Sequence, residues 1–151
     1  MQIQHILAPT DFSEVSKEAV DYAFALAHKF GAKLSLLHVI ELPTYPLEGH
    51  LPSDLAISLL DDLERHAKLD LAHLLPEAEA AQGEVERHVV IGTPYHKIVA
   101  VAATEKVDLI VMTTHGRTGL SHLVMGSVAE RVVRTSPCPV LTLRGSWSII
   151  R

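Results

Sequence analysis

The stretch TTHGRTGLSHLVMGS, residues 113–127, gathers residue types that can hold an anion. It carries Gly116, Gly119 and Gly126, hydroxyl residues beside them, His115, His122 and Arg117. Gly116 and Gly119 permit positive φ and close backbone approach, and Gly126 would let a ligand sit against the start of a following helix. The first turn of such a helix presents unpaired N–H groups and the positive end of its dipole. Charge-assisted hydrogen bonds contribute roughly 1.5–3 kcal/mol each. Three or four could therefore hold a polyphosphate at micromolar affinity, about −8 kcal/mol, without a lysine clamp. The plainer reading is a loop with a good helix cap, Ser127 as N-cap and Glu130 completing a capping box. Spacing alone leaves both open, and His115, Arg117 and His122 read equally as phosphate partners or as solvated loop residues.

Other chemistries lack their residues. There is no GxxxxGK[ST] phosphate loop, and the first strand-to-helix turn reads PTDFSE where a dinucleotide fold needs GxGxxG. No GxSxG nucleophile elbow occurs. The ten histidines are scattered. His66 and His73 stand two helical turns apart, too far to share an ion, so no protein-built metal site is expected. Cys138, between two prolines, reads as a buried small hydrophobe rather than a nucleophile.

The elements that must position the glycine stretch alternate. The run at residues 3–8, closed by Pro9, reads as a buried strand. Asp11 or Ser13 then caps a helix whose stripe is Val15, Ala19, Tyr22, Leu26 and Phe30, ending at Gly31. KLSLLHVI, residues 33–40, is a second strand covered on both faces. ELPTYPLEGHLP, residues 41–52, has the composition of an irregular loop. Ser53 caps a long helix with the stripe Leu55, Leu59, Leu63, Ala67, Leu71, Leu74 and Ala78, and Pro76 kinks or breaks it. EVERHVVI, residues 84–91, is a strand whose charged start suits an edge. Thr93-Pro94 opens a helix to Thr104. Residues 107–112 form a strand with LIVM at its heart, residues 127–135 a helix, and PVLTL, residues 139–143, a last strand.

Strands alternating with helices, with no hairpin signal, specify an α/β fold with a parallel sheet and helices on both faces. Ligands in such sheets bind beyond the carboxyl ends of the strands, where strand order reverses. Pro9, Thr10 and Asp11, Val39 to Glu41, Ile91 and Gly92, and residues 113–127 all lie at such ends. At 151 residues the chain reads as one domain, 1–151, with residues 144–151 as a tail. It is 48% hydrophobic and 21% charged, as a soluble globular protein is. Its net charge of −5 argues against a general nucleic-acid binder. A single cysteine suits a reducing cytoplasm. Neither a signal peptide nor a membrane-spanning run is evident, so a cytoplasmic protein without a membrane partner is expected.

Together these residues resemble the universal stress proteins in their small single-domain form. The likeness runs through ILAPTDFSE, LLHVI, GTPYHKIVAVAATEKVDLIVM and HGRTGLSHLVMGSVAERVVRTSPCPVLTL. ATP-binding members of that family show G-x2-G-x9-G-[ST] in the last segment. Here Gly116, Gly126 and Ser127 match, whereas the first position is Thr113. The resemblance implies a Rossmann-like open sheet of five parallel strands ordered 3-2-1-4-5 and a homodimer paired along the last strand. It further implies an ATP-binding stress-response protein with magnesium brought in by the nucleotide. Asp11 would bond a ribose hydroxyl and Val39 would recognise adenine through its backbone, with Ala8, Pro9 and Thr10 walling base and sugar. Met112 and Thr113 would lie against the ribose. Gly116, Gly126, Ser127 and Val128 would carry the phosphates through main-chain N–H groups, and Arg117, by its charge, is a further nucleotide-binding candidate. No lysine or evident general base accompanies the glycine loop, so little or no catalysis is expected. A weak ATP hydrolase or phosphotransferase and a dimeric interaction protein without ATP, the latter motivated by Thr113, are the alternatives.

Overall fold

The computed structural model describes residues 2–42, 52–115 and 125–145. Among them the order is β1 (His5–Pro9), α1 (Glu14–Phe30), β2 (Lys33–Ile40), α2 (Ser53–Leu74), α3 (Glu77–Ala80), β3 (Val85–Ile91), α4 (Pro94–Thr104), β4 (Leu109–Thr113), α5 (Ser127–Thr135) and β5 (Val140–Leu143). The strands form one sheet ordered β3-β2-β1-β4-β5, and every neighbouring pair is parallel. This is the expected Rossmann-like α/β sheet. Its order reverses between β1 and β4, because the chain steps outward through β2 and β3 before crossing back.

The crossover puts helices on both faces. Ile6, Ala8, Leu34, Leu36 and Val111 meet Ala19, Val20, Ala23 and Ala27 of α1 and Leu71 of α2. Leu7, Leu37, Ile110 and Met112 meet Ile98 and Ala102 of α4 and Ala129 and Val132 of α5. Alternate residues of β1 and β4 thus enter opposite cores, as a strand covered on both sides requires. All five residues of β1 are buried, whereas β3, which begins with charged residues, has none buried and forms an edge.

The helices correct several expectations. α1 buries Ala19, Ala23 and Ala27, while Phe30 is 48% exposed. The small residues let the helix lie close on the sheet, so the large ones flank that face rather than form it. In α2 only Ala67 and Leu71 are buried, and Leu55, Leu59 and Leu63 are exposed. The helix keeps an apolar spacing along its first half without meeting the sheet there. Ser53 is the first helical residue, not the cap, because Pro52 takes the cap position. The break at Pro76 is real: α2 ends at Leu74 and α3 restarts at Glu77. The fourth strand runs from Leu109 to Thr113, two residues later at its start than residues 107–112 suggested. Cys138 is half-buried rather than buried.

Candidate functional site

β1 ends in a turn held by its own side chains. Thr10 donates its N–H to the Leu37 carbonyl at 2.9 Å, the last ladder bond between β1 and β2. Its Oγ1 accepts the Phe12 N–H at 3.0 Å and lies 2.9 Å from Ser16 Oγ. Asp11 Oδ1 accepts from both the N–H and the hydroxyl of Ser13, at 3.0 and 2.6 Å. Ser13, not Asp11, is the N-cap of α1, its Oγ accepting the Ser16 N–H at 3.2 Å. Phe12 sits in left-handed backbone, φ 64°, and its ring stacks on His38 with centroids 4.3 Å apart. The His38 Nδ1 in turn lies 2.9 Å from the Thr10 carbonyl oxygen. Nothing in the residue types announced this Phe12–His38 clasp, because an aromatic residue at positive φ has no sequence signal.

Val39 follows from the same ladder. Peptide groups of alternate residues point to the same side of a strand, so those of Val39 point as those of Leu37 do, toward β1. There the β1 ladder has already ended at Thr10. The Val39 side chain packs against the α4–α5 core, so its main chain is what remains to face the crevice. Ala8 and Pro9 are fully enclosed at the end of β1, and Thr10 is buried with them.

β4 delivers the glycine stretch. Met112 is buried in the α4–α5 core and Thr113 follows on the opposite face, only 8% exposed. Thr113 Oγ1 donates to the His115 carbonyl at 2.7 Å, and its φ is not positive, so a β-branched residue fits without backbone strain. The Thr114 N–H is tied to the Leu143 carbonyl of β5 at 2.9 Å. The Thr114 carbonyl then accepts the Gly126 N–H at 2.6 Å, closing the loop on itself. A Cβ on Gly126 would stand 2.9 Å from that carbonyl oxygen, inside any real contact distance. His115 places Nδ1 2.8 Å from Thr114 Oγ1, while its buried Nε2 has no hydrogen-bond partner among the described residues.

The closure decides how α5 begins. Gly126, extended at φ −60° and ψ 151°, takes the N-cap position, and among the described residues no side chain caps the helix. Ser127, expected as the cap, is the exposed first helical residue, and Glu130, expected in a capping box, pairs with Arg134 at 3.0 Å instead. The pull of the Thr114 carbonyl on Gly126 starts the helix one residue before the hydroxyl could cap it. Among the described residues the first-turn N–H groups of Ser127 and Val128 therefore have no side-chain cap, while the Val128 side chain packs into the core beneath. Two expected residues, Gly116 and Arg117, lie outside the described residues, as do Gly119 and His122.

The ends of β2, β1 and β4 thus stand side by side at the reversal, next to an open helix start. That arrangement is a doubly wound Rossmann-like α/β protein with its crevice between β1 and β4. A family model for the universal stress protein family matches residues 2–144, and the chain belongs to that family. Universal stress protein MJ0531 of Methanocaldococcus jannaschii is 36% identical over 140 residues, covering 92% of this chain and 81% of that protein. The solved structure of MJ0577 from the same organism is similar with a TM-score of 0.83 at 32% identity, over 98% of this chain and 100% of that one. A universal stress protein solved in complex with cAMP is similar with a TM-score of 0.63 at 25% identity, over 95% of this chain and 98% of the other.

Proposed function

We propose that the chain is an adenine-nucleotide-binding stress-response protein whose ligand is ATP, held with little or no chemistry done on it. The observation that carries this reading is the uncapped start of α5, fixed by Gly126 beneath the Thr114 carbonyl at the β1–β4 reversal. A helix start left open by its own side chains is a site for phosphate. The other helix rising from this reversal, α1, is sealed by Ser13. The orphaned, buried Nε2 of His115 beside the same loop adds a polar group that a ligand oxygen would satisfy.

In this reading the main-chain N–H groups of Ser127 and Val128 hold the phosphates, Gly126, whose own N–H is spent on Thr114, lets them approach the helix start, and Gly116 and Arg117 complete the loop. Val39 meets the adenine edge through its peptide groups. Asp11 Oδ1 accepts from Ser13, and the ribose would be met by the same carboxylate. Ala8, Pro9, Thr10, Met112 and Thr113 form the wall. Thr113 is compatible with the nucleotide because its hydroxyl is turned back into the loop. ATP supplies a polyanion with its own magnesium; the chain supplies main-chain donors together with Arg117. The molecule acts as a homodimer, joined through the free edge of β5, and works in the cytoplasm.

The test is direct. The purified chain is denatured and the released nucleotide identified by chromatography, and apo protein is then titrated with Mg-ATP by calorimetry. Released or bound ATP is expected. Absence of heat at millimolar Mg-ATP would overturn the reading, and steady turnover to ADP would overturn its non-catalytic part.

A further inference from the structure

A second cluster lies two strands from the crevice, on the face covered by α4 and α5. Glu86 and His88, two apart on β3, project to one side of the strand, and Glu105 at the end of α4 meets them. Their ligand atoms all lie within 4.8 Å of one another. His88 Nε2 is 3.2 Å from Glu86 Oε2 and 3.7 Å from Glu105 Oε1. A tetrahedral metal with bonds of about 2.0–2.2 Å separates its ligands by about 3.4 Å. We propose that Glu86, His88 and Glu105 form a divalent transition-metal site, best suited to Zn2+, with water in the fourth position.

The arrangement is poorly explained by hydrogen bonding alone. One imidazole nitrogen faces two carboxylates, yet a single N–H satisfies only one of them well, and the 3.7 Å contact is too long for a hydrogen bond. With a cation between them, the same nitrogen acts as a ligand and both carboxylates are used. Glu105 is also oriented from behind. Its Oε1 turns to His88, while its Oε2 receives the Ser35 hydroxyl at 3.5 Å and lies 3.7 Å from His5 Nε2. Ser35 is fully buried and itself bonded to His5 Nε2 at 2.8 Å, so this support is part of the core. Outer groups that fix a ligand in this way are half the construction of a metal centre. The end of α4 carries no basic residue in its last turn, leaving the negative end of its dipole to a cation.

Lys33 is the competitor. Its Nζ lies 2.8 Å from Glu86 Oε2, the same oxygen that faces His88. A partly exposed pair of this kind holds only weakly, so a metal can displace the lysine. Imidazole with carboxylates selects zinc and its neighbours over magnesium or calcium, which prefer all-oxygen sets.

The full chain, stripped with chelator, is titrated with ZnCl2 by calorimetry, with Co2+ as a spectroscopic stand-in for tetrahedral geometry. One equivalent is expected to bind and to raise the melting temperature. His88→Ala and Glu105→Gln should each weaken that equivalent at least tenfold and cancel the thermal shift, whereas His66→Ala should not. Lys33→Met should bind Zn2+ more tightly than the parent chain, because Glu86 is freed. Glu86→Gln, at the exposed sheet edge, carries the test if either core-side variant fails to fold. No uptake by the parent chain, unchanged binding by His88→Ala or Glu86→Gln, or weaker binding by Lys33→Met would each overturn the proposal.

Discussion

Gly126 and Thr113 make opposite demands on one loop. Gly126 cannot take a methyl group unless the Thr114 carbonyl moves, and that carbonyl is part of the backbone that sets the start of α5. Gly126→Ala should therefore weaken ATP binding at least tenfold, and Gly126→Val should abolish it, with circular dichroism unchanged. Calorimetry that finds parental affinity in Gly126→Val would remove the cradle. Thr113 is the reverse case: its backbone needs no glycine and its hydroxyl bridges to His115. Thr113→Gly should leave ATP affinity within about threefold, since no donor to the phosphates is lost. Thr113→Val should cost about 1 kcal/mol of stability, the usual net value of one hydrogen bond, measurable by urea titration. The motif departure was visible in the sequence, but its consequence depended on which face of β4 residue 113 occupies.

The two helices that rise from the reversal differ in how they begin. Ser13 caps α1, so Ser13→Ala should lower stability by about 1 kcal/mol. In a chain of this size that is a fall of about 2–4 °C in melting temperature. Ser127→Ala should leave the melting temperature unchanged, because Gly126 holds the cap position of α5. A loss equal to that of Ser13→Ala would show that Ser127 caps after all. The sequence offered both serines as caps, Ser13 as an alternative to Asp11 and Ser127 with Glu130 completing a capping box. Only the loop closure from Thr114 to Gly126 distinguishes them. The same limit explains the long helices. Apolar spacing identified α1 and α2 as helices, yet α1 buries its alanines and α2 leaves Leu55, Leu59 and Leu63 exposed. Spacing reports that a stripe exists; what lies opposite it depends on where the sheet ends.

At the scale of the molecule, one sheet separates two chemistries. The β1–β4 reversal carries the proposed nucleotide crevice, and the β3 edge carries the proposed metal cluster. Among the described residues the other edge, β5, is paired only to β4, in parallel, and presents an unpaired side. Sedimentation should find a dimer, and a Thr142→Pro chain should sediment as a monomer: the carbonyls of Pro139 and Leu143 are bonded toward β4, so by alternation the Thr142 N–H faces the open edge and proline would remove that donor. A parent chain that is monomeric at micromolar concentration would refute pairing through β5. Among the described residues no helix is long and apolar enough to cross a membrane.

The sequence by itself determined the alternation of strands and helices, the break at Pro76, the end of α1 at Gly31 and the edge character of β3. Each of these is a local matter: hydrophobic period, backbone freedom, or a missing N–H. It also carried enough of its family's pattern to place Asp11, Val39 and the glycine stretch at strand ends. Tertiary structure alone decided that Gly126 rather than Ser127 begins α5, that Phe12 clasps His38, and that Glu105 meets Glu86 and His88. These depend on contacts between groups far apart in the chain, and such distances are set by packing rather than by composition or spacing.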